Sequence, residues 1–251
     1  TQVAGRRQRQ MCIRDRLCTL AGCDGKPPSP IQSGKTQLVT VVSKDWNGFE
    51  AELRRYERAP GKAWAQVGPP IAVVLGREGY GWGRGAHGNG APKGRPGPLK
   101  REGDGRSPAG VFDLGTAYGY LATREGVSLP YVQATPSLRC VDDPASDYYN
   151  RIVSTDDAQV DWKSAELMRR DDELYAIAIV VEHNTDDPEP GAGSCIFIHA
   201  WKGPGIGMSG CTALPMDELE AFAEWLKPGA AAFVALPEEE YTALQRAWGL
   251  P

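Results

Sequence analysis

Between Gly76 and Gly110 glycine and proline recur so often that no helix of ordinary length fits, and this punctuation sets the character of the whole chain. The 251 residues carry 30 glycines and 20 prolines. That density calls for many short elements joined by turns, and so for a mostly β fold over a helical bundle. Thr36 to Ser43 is short and β-branched, and Ala51 to Arg58 alternates at its centre. Ala63 to Val67 is expected to pair with the latter through a turn at Pro60-Gly61. Further strands are expected at Ile71–Leu75, Val111–Leu114, Ala176–Glu182 and Ser194–Ala200. Helical patterns are few: Trp162–Met168, Asp217–Leu226 bracketed by Pro215 and Pro228, and a terminal helix at Glu238–Trp248.

The N-terminal region reads differently. Met11-Cys12-Ile13-Arg14-Asp15-Arg16 resembles the translation of a sequencing-library adapter, so residues 1–16 are set aside as an assembly artefact, the alternative being a native leader whose Arg6, Arg7, Arg9, Arg14 and Arg16 form the charged region of a signal peptide. Leu20-Ala21-Gly22-Cys23 matches the lipobox that precedes lipid attachment in bacterial lipoproteins, with Cys23 as the lipidated residue. Asp24 to Pro30 then reads as a flexible tether. Residues 1–36 are thus expected to be artefact, signal remnant, lipobox and tether, and residues 37–251 one domain. The net charge of −4 argues against a nucleic-acid binder. No run of about 18 apolar residues offers a spanning helix, so any membrane contact is expected through the lipid anchor alone.

Of six cysteines, Cys12, Cys18 and Cys23 fall in this leader, leaving Cys140, Cys195 and Cys211. One nucleophile and one Cys140–Cys195 disulfide would account for all three in an exported protein. The alternative is that Cys140 and Cys195 are small buried hydrophobes. No CxxC, HxxxH or HExxH spacing marks a zinc site, and no cofactor motif is present. Gly83-Arg84-Gly85-Ala86-His87-Gly88 fits GxGxxG formally, but Pro92, Pro96 and Pro98 forbid the helix a dinucleotide site needs. Gly34-Lys35-Thr36 ends like a phosphate loop, but Ser29 stands where its first glycine belongs.

The chemistry concentrates in Gly193 to Ala213. Alternation along Ser194–Ala200 puts Cys195, Phe197 and His199 on one face and Ser194, Ile196 and Ile198 on the other. A glycine-rich turn follows, then Met208-Ser209-Gly210-Cys211. Gly210 lets backbone approach a substrate closely, and the N–H groups of Gly210 and Cys211 are oxyanion candidates. A free thiol needs a neighbouring imidazole to supply thiolate at neutral pH. His199 and Cys211 are therefore the base and nucleophile candidates, against the plain alternative of a core histidine and a buried cysteine.

Two blocks resemble the L,D-transpeptidase catalytic-domain family, cysteine enzymes that make 3→3 cross-links in peptidoglycan. The first is Glu102-Gly103-Asp104-Gly105-Arg106-Ser107-Pro108-Ala109-Gly110-Val111-Phe112, and the second is Ile198-His199 followed by Ser209-Gly210-Cys211. The resemblance covers Gln37 to the C-terminus. It implies a β-sandwich or barrel in the cell envelope or periplasm, monomeric, acting on peptidoglycan stem peptides without a cofactor. It implies that Cys211 attacks the carbonyl of the third stem residue and releases D-alanine, with an amine or water taking the thioester. A residue orienting the imidazole is expected but not identified. Ser209, Trp201, His183 and Asn184 are substrate-pocket candidates. Trp201 alternatively belongs to the core, and His183 and Asn184 alternatively cap a strand. His87 reads as solvent-exposed. Three departures stand out: a short His-to-Cys spacing, Met208 in place of a hydroxyl residue, and Ala213 where Arg or Asn is usual. Hydrolysis (an L,D-carboxypeptidase) and an inactive envelope-binding module are the competing readings. A papain-like peptidase is disfavoured, because there the cysteine precedes the histidine.

Overall fold

A computed structural model describes residues 29–251; the leader cysteines and the lipobox lie outside the described residues. The chain opens with a meander of β1 (Gln37–Ser43), β2 (Glu50–Glu57) and β3 (Ala65–Val74). The glycine-rich stretch holds only β4 (Tyr80–Trp82), β5 (Arg84–Gly85) and β6 (Gly88–Asn89), before the long β7 (Ser107–Gly119). Short strands follow: β8 (Tyr131–Gln133), β9 (Leu138–Val141), β10 (Ile152–Ser154) and β11 (Ala165–Leu167). Then come β12 (Ile177–Val181), β13 (Phe197–Ala200), β14 (Thr212–Leu214), α1 (Met216–Trp225), β15 (Ala231–Pro237) and α2 (Glu238–Trp248).

Eight strands close a mixed barrel in the order β12-β13-β14-β3-β2-β1-β15-β7, and β7 pairs back onto β12. Closure removes the unpaired edges that an open sheet would present. The β1–β15 and β13–β14 pairs are parallel; the other barrel pairs are antiparallel. Every residue of β15 is buried, and α2 packs on β15 and β1 while α1 packs on β13 and β12. Beside the barrel, β9 is flanked by β10 and β11 in a three-stranded sheet.

Local signals define the two helices. α1 starts after Pro215, carries Asp217 and Glu218 in its first turn, and buries Leu219, Phe222 and Ala223. α2 has Glu238, Glu239 and Glu240 at its N-terminal end and Arg246 in its last turn, charges that suit the helix dipole. It stops at Gly249, whose φ of 67° is the left-handed C-cap that glycine adopts without strain.

Four local expectations need correction. The two strands expected at Ala63–Val67 and Ile71–Leu75 are one, β3; Gly68-Pro69-Pro70 bulges outward where the β2 register shifts between Leu53 and Arg55. Neither proline has an N–H for the ladder, so the segment bends without breaking the strand. Trp162–Met168 is not a helix: the Asp143 carboxylate accepts the Lys163 N–H at 2.7 Å, and the segment extends into β11 against β9. Regular strand geometry in Ser194–Ala200 begins only at Phe197, because Cys195 sits at φ 55°. The packed unit also starts before Gln37: Ile31 is in the core, and Lys35 pairs with Asp113 at 2.7 Å.

A disulfide joins Cys140 of β9 to Cys195, 55 residues apart, so the side sheet is tied to the segment entering β13. Closing a loop of that length is worth about 4 kcal/mol in the chain-entropy account. The Cys140→Ser/Cys195→Ser variant is accordingly expected to unfold at a clearly lower denaturant midpoint. Equal midpoints in urea titrations of the two proteins would contradict this.

Candidate active site

β13 and β14 run parallel, with His199 opposite Ala213 and Ile198 opposite Thr212. This register places Cys211, the residue just before β14, on the same face as Phe197 and His199. The alternation expected from sequence is kept: Cys195, Phe197 and Cys211 pack in one cluster, while Ile196 and Ile198 face the main core. His199 and Cys211 both open onto a cleft of about 270 Å³, which Arg77, Glu166, Arg170, Tyr175 and Ser209 also line.

The backbone around the thiol is held from several sides. Cys211 Sγ accepts the Phe197 N–H at 3.3 Å, and its S–H points to the Cys195 carbonyl at 3.5 Å. Ser107 Oγ accepts the Gly76 N–H at 2.8 Å and donates to the Cys211 carbonyl at 3.3 Å. Hence the Glu102–Phe112 block, distant in sequence, supports the cysteine directly. Gly210 is needed for closeness: a Cβ there would lie 3.1 Å from the Arg106 carbonyl oxygen and 3.3 Å from Ile196. Among the described residues, the loop and turn hydrogen bonds engage neither the Gly210 nor the Cys211 N–H.

The imidazole of His199 is oriented by backbone. Its Nδ1–H donates to the Ala200 carbonyl at 2.7 Å, which leaves the Nε2 lone pair to act as a base. The orienting group that sequence could not name is therefore a main-chain oxygen, which no side-chain motif encodes. The Tyr175 ring meets the imidazole edge-on at 5.0 Å. No hydrogen bond joins His199 to Cys211.

Burial governs both protonation states. The Cys211 thiol is pushed up to about 12, first by burial and then by the Glu166 charge, against the opposing Phe197 N–H, Lys100 and Tyr175. His199 is pushed down to about 4, again by burial, with its bond to Ala200 opposing. At neutral pH the pair rests as a thiol and a neutral imidazole. Such a pair transfers its proton when an electrophile engages the sulfur, and the imidazolium formed can then protonate a leaving amine.

Several expected pocket residues lie elsewhere. His183 is buried away from the cleft: its Nδ1 accepts the Arg84 N–H at 3.2 Å and its Nε2–H donates to the Ala192 carbonyl at 3.1 Å. Burial holds it neutral, with its pKa down at about 3. Asn184, at φ 56°, caps the turn by bonding Glu189 and Gly193. Trp201 is half-buried against Val74, Met208 and Ala213 and does not line the cleft. His87 is not solvent-exposed: it packs among Trp82, Phe112 and Trp248 at ring distances of 5.9, 5.6 and 6.1 Å. Ser209, in contrast, does line the cleft.

Met208 and Ala213 acquire physical roles. Met208 ties the loop to the end of β3, its N–H donating to the Leu75 carbonyl and its carbonyl accepting the Arg77 N–H. Ala213 is fully buried, so no side chain there reaches a ligand. Arg77 and Lys202 bring cations to the cleft from other loops. Sequence reasoning missed these two along with Glu166, Arg170 and Tyr175, which carry no motif and converge only through the fold.

No family model matches the chain, and no curated protein matches it. Among solved structures it is similar to that of Bdellovibrio bacteriovorus Bd1075, at 11% identity and a TM-score of 0.41. The match covers 89% of this chain, which spans 58% of the length of that one. So distant a likeness assigns neither family nor activity.

Proposed function

We propose that the protein is a cysteine-dependent acyltransferase of the bacterial cell envelope, an L,D-transpeptidase that takes peptidoglycan tetrapeptide stems as donors. The observation carrying this reading is the pairing of Cys211 and His199 in one cleft, with Nε2 left free by the Ala200 carbonyl. Cys211 attacks the carbonyl of the third stem residue while His199 takes the thiol proton. His199 then protonates the departing D-alanine amine, leaving a thioester. An amine from a second stem, deprotonated by His199, resolves the thioester into a cross-link. The Gly210 and Cys211 N–H groups stabilise the oxyanion, and Arg77 and Lys202 offer partners for substrate carboxylates. The Cys140–Cys195 bridge is in keeping with an oxidising, exported setting.

Water in place of the second amine would make the same site an L,D-carboxypeptidase. Mass spectrometry of tetrapeptide fragments incubated with the full chain, beside Cys211→Ala, tests the proposal. The expected result is D-alanine release with wild type only; dimers mark transfer, and tripeptide alone marks hydrolysis. Unchanged substrate with folded wild-type protein would refute the enzyme reading for this substrate and favour a binding module.

A further inference from the structure

The cleft holds a carboxylate that the proposed acyl transfer does not use. Glu166, on β11, accepts a hydrogen bond from the Tyr175 hydroxyl at 2.6 Å. Tyr175 is 5% exposed, and its ring is fixed between Phe197 at 5.5 Å and His199 at 5.0 Å. Tyr175 packs in one cluster with Cys211 and lines the same cleft, and its phenol favours the thiolate over the thiol. A phenol has one proton to donate. Given to Glu166, that proton cannot also stabilise sulfur, and the nearby negative charge of Glu166 further disfavours a thiolate.

We propose that Glu166 and Tyr175 form a brake on Cys211: ionised Glu166 captures the tyrosine proton and keeps the sulfur protonated, and neutralising Glu166 lets Tyr175 donate to the thiolate. Tyr175, which shares the cluster and the cleft of Cys211, is then a positioning residue for the sulfur, and Glu166 acts through it. The proposal rests on Cys211 being the nucleophile, but not on peptidoglycan being the substrate.

The surroundings suit such a device. Burial raises the Glu166 carboxyl from its ordinary value; Asp142 and Glu102 push the same way, while Tyr175 and Arg170 oppose. Arg170 stacks over the Tyr175 ring at 5.2 Å but is engaged by Asp172 through two hydrogen bonds, so it does not neutralise Glu166 outright. Lys100, whose charge favours the Cys211 thiolate, is committed to Asp104 at 2.6 Å, while Arg77 and Lys202 line the same cleft. A ligand's ammonium group placed against Glu166 would release the brake.

Alkylation of Cys211 by iodoacetamide, followed by peptide mass in the full chain, reads thiolate content without any enzymatic turnover. Glu166→Gln is expected to lower the apparent thiol pKa by about one unit, which raises thiolate about tenfold at fixed pH. Tyr175→Phe alone is expected to leave alkylation little changed, since ionised Glu166 already holds the phenol proton. Glu166→Gln in the Tyr175→Phe background is expected to gain clearly less than in the wild-type background, only the part owed to its charge. An equal gain from Glu166→Gln in both backgrounds would overturn the relay through Tyr175, leaving charge alone. No gain in a variant that keeps its circular dichroism spectrum and thermal midpoint would overturn the brake altogether. Failure of these tests leaves the D-alanine assay unaffected, and failure of that assay leaves these tests readable.

Discussion

Replacing His199 with glutamine is expected to reduce D-alanine release by roughly 10²- to 10⁴-fold, the range a positioned general base supplies. The thiol is the reason for so large a loss. Held at about 12 by burial and by Glu166, it cannot ionise unaided at neutral pH, and attack depends on an acceptor present as the bond forms. In the proposed mechanism Nε2 of His199 is that acceptor, since Nδ1–H is committed to the Ala200 carbonyl. Glutamine preserves much of the contact with Tyr175 but has no basic nitrogen. Release rates measured with Cys211→Ala as the background would decide the matter. Activity within tenfold of wild type would remove His199 from the mechanism.

Acid is expected to destabilise the fold through its histidines, because all three of the chain are held neutral. His87 and His199 are each pushed down to about 4 and His183 to about 3, with burial the leading cause in every case. The unfolded chain, with histidines near 6.5, binds more protons than the native one between pH 6.5 and 4. Stability in that window therefore rises with pH and is lost as pH falls. Each shift of this kind amounts to roughly 3 kcal/mol when fully expressed. Glu166 and Glu182, raised by burial, act in the opposite sense and offset part of the loss. Urea midpoints measured from pH 7.5 to 4.5 should fall steeply below about pH 6.5, and His183→Gln should flatten the profile. A profile flat to pH 4.5 would show that these imidazoles take up protons without unfolding.

The resting state of the site bears on how it is used. A neutral thiol beside a neutral imidazole is chemically quiet and resists oxidants and electrophiles at rest. The disulfide adds to this by fixing Cys195, whose carbonyl receives the Cys211 S–H. The same bridge thus anchors the side sheet and positions the nucleophile.

Elements with local signals were readable from residue order. Pro215 and Pro228 bracket α1, and the glutamates and Gly249 bound α2, because caps and helix dipoles act within a turn or two. The short strands β1 and β2 follow from β-branched or alternating runs. The face shared by Phe197, His199 and Cys211 follows from period-two alternation together with the parallel register of β13 and β14.

Other features depended on partners far away in the chain. Trp162–Met168 has a helical pattern, but Asp143 and β9 offered its backbone better hydrogen bonds as a strand. His183 is buried by Phe112 and by backbone partners at Arg84 and Ala192, none of which its own neighbours announce. By itself the sequence determined a β-rich chain, its terminal helices, and a histidine and cysteine in the order and setting that acyl transfer would require. Only the tertiary structure closed the barrel through β7 and β12, supplied the Ala200 carbonyl, and gathered Glu166, Tyr175, Arg77 and Lys202 around the sulfur. The physical reason is range: capping and alternation are settled between neighbours, whereas burial and polar satisfaction are settled among residues that meet only once the chain has folded.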